Sequence, residues 1–177
     1  VNQLGVNQNF FSKDAGDNID QFNMRIASNN KLFMEIERDN SYASAFTSSV
    51  ILSDTNWHHY VIIFDGSQSA SADKISLFVD SQSQTVSASG TIATTLADLS
   101  GVSLLIGKRR TDEYGGKICD FAIWDTVLDA NTVASIYNSG EPNNLTLPAS
   151  YTAGSGVDKT ANLQAYYRMG NASNDSH

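Results

Sequence analysis

Apolar and polar residues alternate one for one over two neighbouring stretches of this chain. Phe22, Met24 and Ile26 interleave with polar residues, and Leu32, Met34 and Ile36 alternate against Glu35, Glu37 and Asp39. A period of two is that of a strand with one buried face, and Asn29 and Asn30 between the stretches read as a turn, so residues 21–39 predict a hairpin. Further strands are predicted at 9–13, 43–52, 57–65, 74–80, 85–88, 103–107 and 117–125. The period changes once, within 115–140. From Ile118 to Trp124 apolar groups fall on both faces, as in a buried strand, and from Asp129 to Asn138 Val133, Ile136 and Tyr137 take helical spacing. Asp129 is a fair N-cap and Gly140 a fair residue for the position after the helix. Many short strands with one short helix near 129–138 predict an all-β fold, an antiparallel β-sandwich.

Composition narrows the partners. The 177 residues suffice for one domain with a real core. Charged residues are 17% of the chain, below the roughly 25% of average proteins, and Ser, Thr, Asn and Gln carry the polar load. Such a surface suits an extracellular or virion β-protein. A net charge of −8 repels phosphate backbones, and the basic residues form one short run, Lys108, Arg109 and Arg110, so nucleic acid is not an expected partner. No apolar run approaches the roughly 20 residues that cross a bilayer, and no membrane insertion is expected. A single cysteine, Cys119, allows no intrachain disulfide and reads as a small buried hydrophobe on its strand. Asn144, Asn171 and Asn174 stand in glycosylation sequons, which Asn- and Ser-rich sequence produces by chance.

After Gly140 the pattern changes. Residues 142–161 read as a connector punctuated by Pro142, Pro148, Gly154 and Gly156, and 162–177 as a final strand, 163–169, with the start of a following segment. The division is thus 1–141 for the sandwich, then connector, then strand.

The stretch 57–66, WHHYVIIFDG, together with GGKICDFAIW at 115–124 and the short helix after it, resembles the laminin G-like members of the concanavalin A-like lectin/glucanase superfamily. Their pattern reads roughly W-H-H, an apolar run and F-D-G, then G-x-I-D-E and an apolar strand ending in I-W. The helix end at 136–142, IYNSGEP, and 163–170, LQAYYRMG, resemble segments of bacteriophage structural proteins that carry such domains. The resemblance implies a concanavalin A-like jelly roll and a non-catalytic, lectin-like module of a virion surface or tail protein. Host glycans or neighbouring surface subunits are its implied partners. Relatives lay down a strand before the segment matching 10–13. Its absence implies a piece of a longer polypeptide or an edge filled from elsewhere, which makes a homo-oligomer a candidate.

Four groups of residues could carry chemistry. His58 and His59 are adjacent on a strand, point to opposite faces and cannot chelate one ion together, so one of them should be interior and structural. Glu35, Glu37 and Asp39 lie on one strand face, where laminarinase-type glycosidases of the same superfamily place an acid pair in the order E-[apolar]-D-x-x-E. Arg38 and Asp39 break that order, and the acids read as a solvated outer face, with no catalytic residue expected. The resemblance also implies a structural calcium ion at the sandwich rim, for which Asp14, Asp17 and Asp20 in the first loop and Asp112 and Glu113 in the 108–116 loop offer hard oxygen ligands. That second loop, with Arg109, Arg110 and Tyr114, is the candidate for ligand recognition, Tyr114 being placed to stack on a sugar ring.

Overall fold

The computed structural model describes residues 1–16 and 20–169. Its strands are β1 (Gln8–Asp14), β2 (Gln21–Ile26), β3 (Leu32–Arg38), β4 (Ser41–Thr47), β5 (Tyr60–Phe64), β6 (Ile75–Val79), β7 (Gln82–Gln84), β8 (Val86–Ser89), β9 (Leu105–Ile106), β10 (Lys108–Arg109), β11 (Asp112–Glu113), β12 (Phe121–Trp124) and β13 (Leu163–Tyr167). Helix α1 covers Ala130–Tyr137 and α2 covers Ala149–Thr152. The fold is all-β and antiparallel, of the concanavalin A-like sandwich class. Six strands form one sheet in the order β8-β4-β3-β2-β1-β9, and β5-β6-β7, β10-β11 and β12-β13 form smaller sheets.

Turn chemistry sets the registers. The β2–β3 hairpin pairs Ile26 with Leu32 and Gln21 with Glu37, and it turns through Asn30 at φ 58°. The β3–β4 hairpin turns in two residues, Asp39 and Asn40 at φ 53° and 62°, and the β6–β7 hairpin through Asp80 and Ser81 at φ 49° and 64°. Two consecutive positive φ values match the right-handed twist of the flanking strands, and Asn and Asp tolerate them best after glycine. The consequence for Asp39 is that it leaves the strand.

The chain divides into two units. The first comprises Val1–Trp57, Ile62–Leu77 and Gln84–Lys117. One face of its six-stranded sheet buries Met24, Ile26, Leu32, Met34, Ile36, Ala43 and Ala45, and Leu52, Ile63, Ile75, Leu77, Ile92 and Leu99 are buried in the same unit. The expected gap beside residues 10–13 carries β9, which pairs with Phe11 and Ser12.

The second unit comprises His58–Val61, Phe78–Ser83 and Ile118–His177, described to residue 169. Asp129 caps α1 by accepting from Thr132 N at 2.9 Å. The left-handed residue that ends the helix is Asn138, at φ 46°, two residues before the expected Gly140. Strand β12 starts at Phe121 because Asp120 takes φ 53°, so Cys119 lies before the strand, half-buried, with its thiol pushed up by burial and by the Asp120 carboxylate. The expected connector is folded. Leu145 and Tyr151 are buried, Tyr151 hydroxyl donates to Leu145 O at 2.7 Å and accepts from Trp124 Nε1 at 3.2 Å, and β13 pairs with β12 from Leu163 to Tyr167.

Candidate functional site

The face of the six-stranded sheet opposite its apolar side is polar, and alternation explains how. Gln21, Asn23 and Arg25 on β2 stand opposite Glu37, Glu35 and Phe33 on β3, which in turn face Tyr42, Ser44 and Phe46 on β4. On β1 a bulge between Asn9 and Phe11 shifts the phase by one residue. Without it Phe11 and Lys13 would share this face with Asn9; with it Ser12 and Asp14 do.

The acids on this face are not solvated, which corrects the expectation for Glu35 and Glu37: they are only 4% and 5% exposed. Glu35 Oε1 accepts from Arg25 Nε at 2.8 Å and lies 2.6 Å from its Nη2, while Glu35 Oε2 is 3.5 Å from Arg109 Nη1. Glu37 Oε2 accepts from Gln21 Nε2 at 2.6 Å, and Gln21 Oε1 accepts in turn from Asn23 Nδ2 and from Arg109 Nη2. Burying two carboxylates side by side is tolerable because cations and amides from β2 and β10 are within bonding distance of them. Asp39 does not join them, being 82% exposed on its side chain in the hairpin turn. The buried oxygens Asn9 Oδ1 and Asn23 Oδ1 have no hydrogen-bond partner among the described residues.

The 108–116 loop is itself a small hairpin of β10 and β11, with Arg110 at φ 53° in its turn. Its arginines point back to the sheet. Asp14 Oδ2 accepts from Arg109 Nε at 2.9 Å and from Arg110 Nε at 2.8 Å, and Asp14 Oδ1 accepts from Arg110 Nη2 at 3.0 Å and from Gly16 N at 2.9 Å. Burial works to raise the Asp14 carboxyl, but the donors from Arg110, Arg109 and Gly16 together hold it below the usual carboxylate value. Tyr114 packs its ring 5.0 Å from that of Phe10, and burial pushes its hydroxyl up. Arg109 and Arg110 are therefore brought together on Asp14 while Tyr114 packs on Phe10, and these contacts fasten the loop to the sheet.

The residues expected to hold calcium are dispersed. Asp14 is engaged by the two arginines, Asp20 Oδ1 accepts from Asp39 N at 2.8 Å, Glu113 pairs with Lys108 at 3.2 Å, Asp112 is exposed, and Asp17 lies outside the described residues. Among the described residues no three His, Cys, Asp or Glu side chains gather as a metal site.

The histidines separate as their adjacency requires. His58 Nδ1 lies 2.7 Å from Asp80 Oδ2, and His59 stacks on Tyr137 at 5.7 Å. His59 Nδ1 is buried with no hydrogen-bond partner among the described residues, and burial, opposed by the nearby Asp80, lowers its pKa. Neutral His59 thus favours the fold above its usual value of 6.5, and that contribution disappears as pH falls through the lower folded value. The Asp14 contribution is present above 3.8 and disappears as pH falls below it. Urea denaturation across pH 8 to 3 should show stability falling in two steps, and His59→Phe should remove the upper one. An upper step that persists in that variant would assign it to another group.

Arg25, Gln21 and Asn23 are the site members that the sequence reading missed. The signal was the hairpin itself, since any hairpin turning about 27–31 sets 21, 23 and 25 opposite 37, 35 and 33.

Comparison with known proteins gives one family and one structure. The family model described as the concanavalin A-like lectin/glucanases superfamily matches residues 1–134. No curated protein matches. Among solved structures, a 2.1 Å crystal structure of an S-layer domain-containing protein (residues 221–444) from Clostridium thermocellum ATCC 27405 aligns at 19% identity with a TM-score of 0.38. The alignment covers 76% of this chain and 64% of that one, less than two thirds of the crystallised segment.

Proposed function

Since this chain belongs to the concanavalin A-like lectin/glucanases superfamily, we propose that it is a lectin-like binding module without catalytic activity, displayed on a virion or cell surface. The carrying observation is the state of Glu35. A retaining glycosidase needs one carboxylate free to attack the sugar and a second able to deliver a proton. Here the oxygens of Glu35 are committed to Arg25 and Arg109, and Glu37 is held by Gln21. A sugar reaching this face would meet guanidinium and amide groups in place of a reactive acid pair. The Ser-, Thr-, Asn- and Gln-rich composition supports a surface setting, with host glycans as the ligand and neighbouring surface subunits as the further partner.

Incubation with β-glucans and galactans should release no reducing ends, and a glycan array should show carbohydrate binding. Release that vanishes in Glu35→Gln would overturn the non-catalytic reading, and an array without any signal would overturn the lectin reading.

A further inference from the structure

A cavity of about 300 Å³ opens in the first unit at the β3–β4 hairpin, lined by Ile36, Arg38, Asp39, Ser41, Ala43, Thr91 and Ala93. That is the small end of the range for ligand sites, which suits one ring rather than a chain. Its floor and its rim differ in kind. Ile36 and Ala43 are buried and apolar, whereas Asp39, Ser41 and Thr91 are exposed and polar.

The walls are held by hydrogen bonds within the protein. Arg38 Nη1 donates to Thr95 O at 3.2 Å and also to Thr95 Oγ1, and its Nε donates to Asp39 Oδ2 at 3.3 Å. No bond to Arg38 Nη2 is found among the described residues. On the opposite wall Ile92 is gripped at both backbone groups: its N–H donates to Ser71 Oγ at 3.0 Å, and its carbonyl accepts from the buried Lys74 Nζ at 2.7 Å. Thr91 and Ala93 flank that clamped residue. The chain reaches it through Gly90, at φ 75°, where a Cβ would stand 2.7 Å from Tyr42 O, so only glycine lets the wall approach β4 so closely.

We propose that this cavity binds one neutral pyranose ring. Ile36 and Ala43, 2% and 1% exposed, close the floor, and the sugar is held from the rim through its hydroxyls. Around the rim the Arg38 guanidinium donates to ring hydroxyls, the Asp39 carboxylate accepts from them, and the hydroxyls of Ser41 and Thr91 do either. A cation and an anion side by side on the rim suit vicinal hydroxyls, each at once donor and acceptor, better than a charged ligand, which one of the two would repel. The site holds no aromatic platform, so the affinity for a single ring is on the order of millimolar. The inference rests on the lectin-like reading and gives it a location away from the 108–116 loop.

Titration of the ¹⁵N-labelled chain with methyl glycosides of glucose, galactose and mannose tests it. At least one should shift amides confined to 36–43 and 90–95. Arg38→Ala should weaken that titration tenfold or more, and Thr91→Trp, an exposed position that plugs the mouth, should abolish it while keeping a cooperative melt. Shifts confined to 108–116, or full binding in both variants, would overturn the pocket while leaving the lectin reading in place. Absence of shifts with all three glycosides would also overturn the pocket, and array binding in the same preparation would show that the lectin reading survives it.

Discussion

Glu35→Ala is expected to lower the unfolding free energy by about 3–5 kcal/mol, the usual cost of removing one partner from a buried ion pair. The side chain is 5% exposed, and Arg25 and Arg109, at 19% and 21%, would lose the anion that compensates their own burial. Arg25 would keep Asn7 Oδ1 at 3.2 Å and its position 4.7 Å over the Phe33 ring, and Arg109 would keep Asp14. Those contacts place the loss toward the lower end of the range. Glu35→Gln should cost less, because an amide oxygen still accepts from Arg25. The double replacement of Arg25 and Glu35 by Met should recover much of the loss, since both desolvation costs vanish with the charges. Chemical denaturation of the three variants measures this. A loss under about 1 kcal/mol for Glu35→Ala would place the pair with exposed salt bridges, which contribute little.

Tyr151→Ala should be of similar size, about 3–5 kcal/mol, as for other large aromatic truncations. Tyr151 is fully buried, lies edge-on to Trp124 at 6.4 Å and bridges Leu145 O and Trp124 Nε1 through its hydroxyl. Tyr151→Phe separates the two contributions. It keeps the ring and removes only the hydroxyl, at a cost of about 1–3 kcal/mol for the partners left behind. Denaturation midpoints followed by Trp fluorescence report the loss directly, since Trp124 touches the site. A Tyr151→Ala loss near zero would mean that 142–161 is the loose connector its composition resembles.

Strand identity and the buried side of the main sheet were legible because they depend on local alternation. Met24, Ile26, Leu32, Met34 and Ile36 are buried as their period of two requires. Strand ends were less legible. The strand expected from Trp57 begins at Tyr60, leaving Trp57 63% exposed, and the strand expected from Lys117 begins at Phe121. Positive φ at Asp120 stops the latter, and no side-chain pattern announces that.

The polar face shows where local reading ends. Alternation placed Glu35 and Glu37 on one side of a strand, but whether that side meets water depends on what lies across it. The covering groups are Arg25 from the preceding strand and Arg109 from 74 residues further along the chain. The β1 bulge that turns Asp14 toward Arg109 and Arg110 has no sequence mark either, since Phe10 and Phe11 are both apolar and either could be the extra residue.

The sequence by itself therefore determined the strands of the main sheet, the capped helix and which side of that sheet is apolar, because each follows from the period of side chains along a few neighbouring residues. Only the tertiary structure decided that the acids are buried and paired, that the basic loop is fastened to Asp14, and that a cavity opens beside Arg38. Those outcomes depend on contacts between residues far apart in sequence, and the free energy of a charge is set by the partners and the water around it.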